Sequence, residues 1–213
     1  MSQFPELYEA ILTGDANAAL ARTKEAIAKG ADPESIVTGT MIPAMDEVGR
    51  RFECNEYFVP ELMISARAMK RALEELRPLL AKKGTKPLGK VVIGTVKGDL
   101  HDIGKNLVAS MLEGGGFEVV DLGTNVDPEK FVETVKEKGA QLVGLSALLT
   151  TTMPAMKTTI AALEKAGVRG GVKVMIGGAP ITQEYANEIG ADGYGENARS
   201  AVVLARKLVG VGG

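Results

Sequence analysis

The stretch KGDLHDIGKN contains the only histidine among the 213 residues of the chain. His101 follows Asp99 at a spacing of two and immediately precedes Asp102. Because residues two apart in an extended loop point to the same side, the Asp99 carboxylate can bond one ring nitrogen of His101. Such a bond fixes the tautomer and makes the other nitrogen a better metal ligand. The spacing indicates an imidazole prepared for coordination; a histidine that only caps the next helix or pairs with a carboxylate is the structural alternative.

Other uses of this stretch fail on spacing or on missing companions. A phosphate-binding P-loop has four residues between its glycines and ends in Gly-Lys-Ser/Thr. Here five residues separate Gly98 from Gly104, and Asn106 stands where the hydroxyl would be. A hydrolytic metal site needs several imidazole or carboxylate ligands, and a catalytic triad needs a serine that no elbow motif supplies. One histidine is sufficient if a macrocycle already holds the metal and needs only one axial ligand.

The composition is that of an ordinary globular protein, with 45% hydrophobic and 24% charged residues. A net charge of -2 gives no electrostatic footprint for nucleic acid or an anionic membrane. No apolar run reaches the ~18–20 residues of a membrane span, and the acidic N-terminus lacks the order of a signal peptide. The single Cys54 suits a reducing compartment. We therefore expect a cytoplasmic protein with no nucleic-acid or membrane partner.

Residues 1–80 have the pattern of four amphipathic helices. Asp15 is predicted as a helix N-cap, and Asp32 followed by a proline is typical of the start of another helix. The last helix begins near Pro60 and has apolar residues every three or four positions. Four such helices are enough for a small bundle domain. The basic stretch AKKGTKPLGK, residues 81–90, is predicted as a linker.

From residue 91 to 213, short apolar strands alternate with helices. The predicted strands are 91–96, 118–122, 141–147, 172–178 and 192–194. The predicted helices are 104–115, 128–138, 153–166, 182–189 and 197–209. Strands that alternate with helices form a parallel sheet covered on both faces. The pattern therefore predicts an α/β fold with a five-stranded parallel sheet over 91–213.

The segments with the most chemical content lie at strand ends, where ligands bind in such folds. GDLHDIG follows the first strand, SALLTTT ends the third, GGAP the fourth and GYGEN the fifth. Since the carboxyl ends of parallel strands meet at one edge of the sheet, these four segments are predicted to form one site. This coincidence supports a site more strongly than any single motif.

The motif Asp99-x-His101-x-x-Gly104, followed by Ser146-x-Leu148 and a Gly-Gly pair, resembles the cobalamin-binding signature of corrinoid proteins. The segment VGRRFECNEYFVPELMISARAMKRA is similar to the capping four-helix bundle of cobalamin-dependent methionine synthase and of corrinoid subunits in methylotrophic methyltransferases. The order of bundle, linker and Rossmann-like (flavodoxin-like) domain is also theirs. The resemblance covers nearly the whole chain and implies a cobalamin cofactor.

The resemblance implies a role for each residue at the strand ends. His101 would be the lower axial ligand of cobalt, and Asp99 would bond its other ring nitrogen. Thr152 stands where methionine synthase has the serine that completes this proton relay, so the hydroxyl is kept although the residue differs. Ser146 and Thr150 would line the tunnel for the displaced nucleotide tail.

Glycines and apolar residues complete the expected site. Gly177 and Gly178 would let the backbone approach the nucleotide tail, and Phe52 and Val59 would form the apolar cap over the upper face. The full set of expected cofactor contacts is Gly98, Asp99, Leu100, His101, Asp102, Ile103, Gly104, Ser146, Leu148, Thr150, Thr152, Gly177, Gly178, Tyr194, Gly195, Phe52 and Val59. Plainer readings stay open: the hydroxyls could cap the next helix, the glycines could form a tight turn, and the cap pair could be bundle core.

The chain carries no recognisable site for a methyl donor or acceptor, so the resemblance implies a methyl carrier. A substrate-specific methyltransferase would load it, and a second methyltransferase would pass the methyl group to coenzyme M or a tetrahydrofolate. A reductive-activation protein is a further expected partner, and the linker would be the hinge that lets the bundle move aside.

Three alternatives stay open. The small subunit of an adenosylcobalamin-dependent mutase shares the histidine motif but usually lacks a helical cap. A cobalamin-dependent sensor or regulator tends to carry a DNA-binding segment, and no basic recognition helix is visible here. A flavodoxin-like interaction module would bind no cobalamin.

Overall fold

The computed structural model describes residues 3–211 and divides the chain into two compact units. One unit extends to Pro87 and includes Glu113–Gly116, and the other comprises Leu88–Leu112 and the chain from Phe117 onward. Within residues 3–211, no helix has the length and apolar character needed to cross a membrane.

The first unit is helical. Its helices are α1 (Pro5–Leu12), α2 (Ala16–Ala28), α3 (Pro33–Ile36), α4 (Ile42–Glu53) and α5 (Val59–Lys83). Asp15 caps α2 by accepting the N–H groups of Asn17 and Ala18, and Asp32 caps α3 by accepting that of Ser35, as the sequence predicts. Each cap satisfies backbone donors that have no partner inside the helix.

The third predicted helix is interrupted by a π-helical turn, Val37–Met41, between α3 and α4. The N–H group of Ile42 bonds to the carbonyl of Val37, five residues earlier. Pro43 has no N–H group with which to continue the α-helical pattern to residue 39. The wider turn keeps the chain helical through this position, so the segment still packs as one helix of a four-helix arrangement.

A charged network fixes the C-terminal half of α4. Arg50 and Arg51 donate through their Nε atoms to the carboxylate of Glu47 at 2.7 and 2.9 Å. Hydrogen bonds from Arg50 and then from Arg51 lower the pKa of Glu47 to about 2. Arg51 also donates to the hydroxyl of Tyr57, which in turn donates to the carbonyl of Leu12 in α1. The network thus ties the α4–α5 turn to the end of α1.

The last helix, α5, runs to Lys83, three residues into the segment predicted as linker. Pro78 lies inside it without ending it. Lys83 is held by an ion pair of 2.6 Å with Asp32, the cap of α3, and Gly84 then ends the helix in the left-handed conformation. Neither helix nor strand is present over 84–89, before the second unit's sheet begins.

The second unit is a five-stranded parallel sheet with helices, as predicted. Its strands are β1 (Lys90–Thr95), β2 (Glu118–Asp121), β3 (Leu142–Ser146), β4 (Lys173–Gly177) and β5 (Gly193–Tyr194). Its helices are α6 (Ile103–Gly114, of which Glu113 and Gly114 are grouped with the first unit), α7 (Pro128–Lys138), α8 (Pro154–Lys165), α9 (Gln183–Ile189) and α10 (Ala198–Leu208). Strand residues such as Val92, Val143 and Val174 are fully buried, which agrees with a sheet covered on both faces.

The strand order is β2-β1-β3-β4-β5, the flavodoxin-like order, with its switch point between β1 and β3. Thr95, Ser146 and Gly177 are register partners at the ends of β1, β3 and β4. The register therefore brings the loop that contains His101 beside the segment that contains Thr152 at the switch point.

Candidate functional site

The Asp99 carboxylate lies at the centre of the candidate site and is fully buried. Its Oδ1 accepts the backbone N–H of His101 at 3.0 Å and faces Nδ1 of the same ring at 2.7 Å. Its Oδ2 accepts the N–H of Leu148 at 2.8 Å and lies 2.7 Å from the hydroxyl of Thr152. The predicted group of His101, Asp99 and Thr152 is thus joined by hydrogen bonds.

These bonds decide the charge of Asp99. Burial alone would raise its pKa, because a desolvated carboxylate is unfavourable. Hydrogen bonds from Thr152, from the backbone of His101 and Leu148, and from the His101 ring act in the opposite direction. Together they hold the pKa of Asp99 well below its ordinary value, so the group is a carboxylate at neutral pH.

The same bonds fix the tautomer of His101. A carboxylate only accepts hydrogen bonds, so Nδ1 of the neutral ring carries the proton and donates it to Asp99. The lone pair then lies on Nε2, for which no partner exists among residues 3–211. The His101 side chain is 50% exposed, so this lone pair is available to a ligand.

Large exposed apolar side chains lie near His101 in the sequence and in the segment that bonds Asp99. Leu100 is 73% and Ile103 is 76% exposed, and they lie one residue before and two residues after His101. Leu148 and Leu149, in the segment after β3, are also exposed. Clustered apolar exposure of this kind is typical of a surface that a ligand covers.

Two residues that the sequence analysis did not single out hold the histidine loop, defined here as residues 97–102. Thr95 is fully buried, and its hydroxyl donates to the carbonyl of His101 at 2.8 Å. Asn125, in the loop after β2, accepts the N–H of Gly98 through its side chain at 2.8 Å. The first contact joins residues six positions apart, whereas the second depends on the register of the strands.

A family model described as "B12 binding domain" matches residues 89–203, and a second model with the same description matches residues 4–77. The dimethylamine corrinoid protein 1 of Methanosarcina acetivorans is 45% identical over 206 residues, which cover 96% of each chain. This chain belongs to the corrinoid protein family.

Two solved structures resemble this corrinoid protein along most of its length. A cobalamin-binding protein from Desulfitobacterium hafniense superposes with a TM-score of 0.81 and 33% identity, covering 98% of this chain and 99% of that one. The methanol:cobalamin methyltransferase complex of Methanosarcina barkeri contains a chain with a TM-score of 0.86 and 30% identity. That match covers 96% of this chain and 78% of the other. The family match supports a corrinoid cofactor for this protein.

The glycine pair of the corrinoid protein has a structural reason of its own. Gly178 has a φ of +134°, and a Cβ there would lie 1.8 Å from the carbonyl oxygen of Ala147. At Gly177 a Cβ would lie 3.1 Å from the carbonyl oxygen of Gly195. Close backbone packing at this edge therefore requires Gly178, and the contact of the pair with a nucleotide tail stays a prediction.

The other predicted contacts of the α/β unit lie at the same edge of its sheet. Ser146 ends β3 and is half-buried, and Thr150 is exposed in the following segment. Tyr194 ends β5 and is half-buried, and burial, with the Glu196 charge as a second cause, raises the pKa of its hydroxyl. Their contacts with a cofactor stay predictions.

Asp102 has a local structural role in the corrinoid protein. Its side chain accepts from Asn106 Nδ2 at 3.0 Å, and its carbonyl accepts the N–H of Asn106 in the first turn of α6. Gly104 lies exposed in that turn, where a Cβ would point into open space. The loop thus passes directly into the helix.

The predicted cap residues belong to the helical unit. Phe52 lies half-buried in the last turn of α4, and Val59 is the first residue of α5 and is exposed. Phe58 and Met63 are exposed close to Val59 in the sequence. The reading of Val59 as bundle core therefore loses support, while the cap role of the pair stays a prediction.

The sequence analysis also did not identify a buried lysine near the site. The side chain of Lys105, in the first turn of α6, is 1% exposed and forms an ion pair with Asp121 at the end of β2. Its ammonium also donates to the side chain of Asn106 at 2.7 Å. This pair attaches the helix that follows the histidine loop to the neighbouring strand.

Proposed function

We propose that this protein binds cobalamin with His101 Nε2 as the lower axial ligand of cobalt and carries a methyl group between two methyltransferases. The observation that carries the proposal is the half-exposed imidazole, whose Nδ1–H is bonded to the buried Asp99 carboxylate. A carboxylate in that position increases the donor strength of the opposite nitrogen and fixes the ring's direction.

The residues around the imidazole fit a corrinoid. A macrocycle would cover the exposed side chains of Leu100, Ile103, Leu148 and Leu149, and this burial would stabilise the complex by ~25 cal/mol per Å² of apolar surface. When bound, the corrinoid would supply a cobalt centre that accepts and releases a methyl group. The protein would contribute the imidazole, its orientation and the apolar surface.

Thr152 would complete the relay that the family resemblance assigns to a serine. Its hydroxyl lies 2.7 Å from Oδ2 of Asp99 and 2.9 Å from the carbonyl of Leu149. One rotation of the hydroxyl hydrogen can therefore change its acceptor. That rotation would leave Asp99 Oδ2 with the Leu148 N–H as its one remaining donor, and thus with a lone pair that can hold a proton.

Partners follow from the same proposal. The solved methanol:cobalamin methyltransferase complex pairs a corrinoid-type chain of this fold with a methyltransferase, and another relative carries dimethylamine in its name. We infer that a substrate-specific methyltransferase loads this protein. A second methyltransferase would transfer the methyl group to coenzyme M or a tetrahydrofolate, and a reductive-activation protein would restore inactive cofactor.

The test is reconstitution with hydroxocobalamin, followed by visible spectra and by EPR spectra of the reduced cobalt(II) form. The wild-type protein is expected to bind one cofactor with a histidine nitrogen on cobalt. His101→Gly is expected to lose that nitrogen signal and to regain it when free imidazole is added, since the small side chain leaves room for the ring. Rescue by imidazole would show that the loop and cofactor surface remain intact in the variant.

Two results would refute the proposal. One is a wild-type protein that binds no cofactor, or binds it with the nucleotide base still on cobalt. The other is a His101→Gly variant with unchanged nitrogen ligation. A protein that supports adenosylcobalamin-dependent rearrangement, and no methyl transfer with a partner methyltransferase, would favour the mutase alternative instead.

A further inference from the structure

We propose that Asn125 is a positioning residue that sets the direction of the His101 ring by holding the backbone before it. The inference rests on the proposed function, in which His101 ligates cobalt. Asn125 lies 24 residues further along the chain and belongs to none of the motifs that carry the family resemblance.

Asn125 contacts the histidine loop with two groups. Its Oδ1 accepts the N–H of Gly98 at 2.8 Å, and its own N–H donates to the carbonyl of Asp99 at 2.9 Å. The two bonds hold the peptide group that precedes Gly98 and the one that follows Asp99. The loop after β2 therefore fixes the backbone of Gly98 and Asp99, the segment that leads into His101.

The backbone conformation of Asn125 makes this double contact possible. Its φ is +52°, and within residues 3–211 the only other non-glycine residue with positive φ is Asn55. Asparagine tolerates this left-handed region better than most residues. A residue that prefers negative φ would tend to turn its N–H away from the Asp99 carbonyl.

The two sides of the histidine loop are held in different ways. From the β3 side, Leu148 and Thr152 bond the carboxylate of Asp99 and so fix its charge and the tautomer of the ring. From the β2 side, Asn125 bonds only the backbone. Its loss should therefore change the position of the imidazole without changing which nitrogen carries the proton.

The test uses three variants of the full chain and one control. Asn125→Gly removes the side-chain acceptor and keeps the left-handed backbone accessible, whereas Asn125→Ala removes the acceptor and also disfavours that backbone. Asn125→Asp retains an acceptor oxygen at the same distance from the backbone. Asn55→Gly is the matched control, because it changes the other left-handed asparagine and lies in the helical unit.

Each variant is titrated with hydroxocobalamin and then examined by EPR in the cobalt(II) form, with urea unfolding of the cofactor-free protein measured in parallel. A loop that is held less firmly occupies the ligating arrangement for a smaller fraction of time, which weakens the apparent affinity by that fraction. For Asn125→Gly we expect roughly three- to tenfold weaker binding, from the loss of one hydrogen bond. The histidine nitrogen signal should shrink as well, with a larger loss in Asn125→Ala and recovery in Asn125→Asp.

The proposal is overturned if Asn125→Gly binds and ligates cobalt like the wild type and like Asn55→Gly, or if Asn125→Asp is as defective as Asn125→Ala. If Asn125→Gly does not fold, Asn125→Ser replaces it, since its hydroxyl is one atom shorter and does not reach Gly98. A wild-type protein without histidine ligation refutes the proposed function, and this inference with it. Normal wild-type ligation with an unaffected glycine variant refutes the inference alone.

Discussion

Replacing Thr152 by valine tests the hydrogen bond that helps to keep Asp99 ionised in the candidate site. The hydroxyl is nearly buried and lies 2.7 Å from the ionised Asp99 carboxylate. Hydrogen bonds to charged groups contribute ~1.5–3 kcal/mol. Valine has nearly the same volume and leaves no cavity, and its extra buried methyl group offsets up to ~0.8 kcal/mol. The carbonyl of Leu149 keeps two backbone N–H partners, so only Asp99 loses a bond.

The free energy of unfolding of the cofactor-free Thr152→Val protein should therefore fall by about 1–2.5 kcal/mol, as measured by urea denaturation at neutral pH. Affinity for hydroxocobalamin should fall by roughly 10- to 100-fold, the usual effect of removing a group that supports a metal ligand. Thr152→Ser is the matched control. It loses a buried methyl group and some stability, but it keeps the hydroxyl and should bind within about threefold of the wild type.

The unfolding free energy and the cofactor affinity together distinguish loss of the hydrogen bond from a change in side-chain packing. A Thr152→Val protein that binds cofactor as tightly as the wild type would refute the reasoning. So would a Thr152→Ser protein whose affinity falls as far as that of the valine variant, since the methyl group and not the hydroxyl would then be responsible.

Three further predictions concern the stability of each unit. Gly178→Ala should prevent folding or cost more than ~4 kcal/mol in urea denaturation, because its Cβ would collide with a carbonyl oxygen, whereas Gly167→Ala, with positive φ and open space, should cost only ~1–2 kcal/mol. Lys105→Met should cost about 2–3 kcal/mol, less than the ~3–5 of a fully buried pair, because water can solvate the remaining Asp121 carboxylate. Glu47→Gln should cost about 1 kcal/mol at pH 7, because Glu47 pairs with two partly exposed arginines. Because the folded pKa of Glu47 is lowered from 4.5 to about 2, that difference should be full above pH 4.5 and shrink in denaturation curves taken toward pH 2.

The sequence predicts the α/β unit well because each strand is a short apolar run between turn signals. The predicted strand 91–96 differs from β1 by one residue at each end. Buried parallel strands have this simple sequence pattern, which can be recognised without knowledge of distant contacts. The meeting of Asp99, His101 and Thr152 is predictable for a related reason, since strand ends in such a sheet share one edge.

The features that the sequence does not predict depend on contacts between distant segments. The extension of α5 past residue 80 is stabilised by Lys83 at Asp32, a partner 51 positions away. Asn125 belongs to no motif, and its contact with the histidine loop follows only from the pairing of β1 with β2. The π-helical turn is an intermediate case, because Pro43 signals a disturbed helix but does not specify whether the helix ends or widens.

The way the histidine loop is anchored has a consequence for the order of folding. Its long-range partners are at residues 125, 148 and 152, so the loop is fully held only after β1 has paired with both neighbouring strands. The loop should consequently be among the last parts of the sheet to become ordered, since contacts between distant segments form late. A corrinoid that needs this loop would bind only chains that have finished folding, and would shift the folding equilibrium toward them.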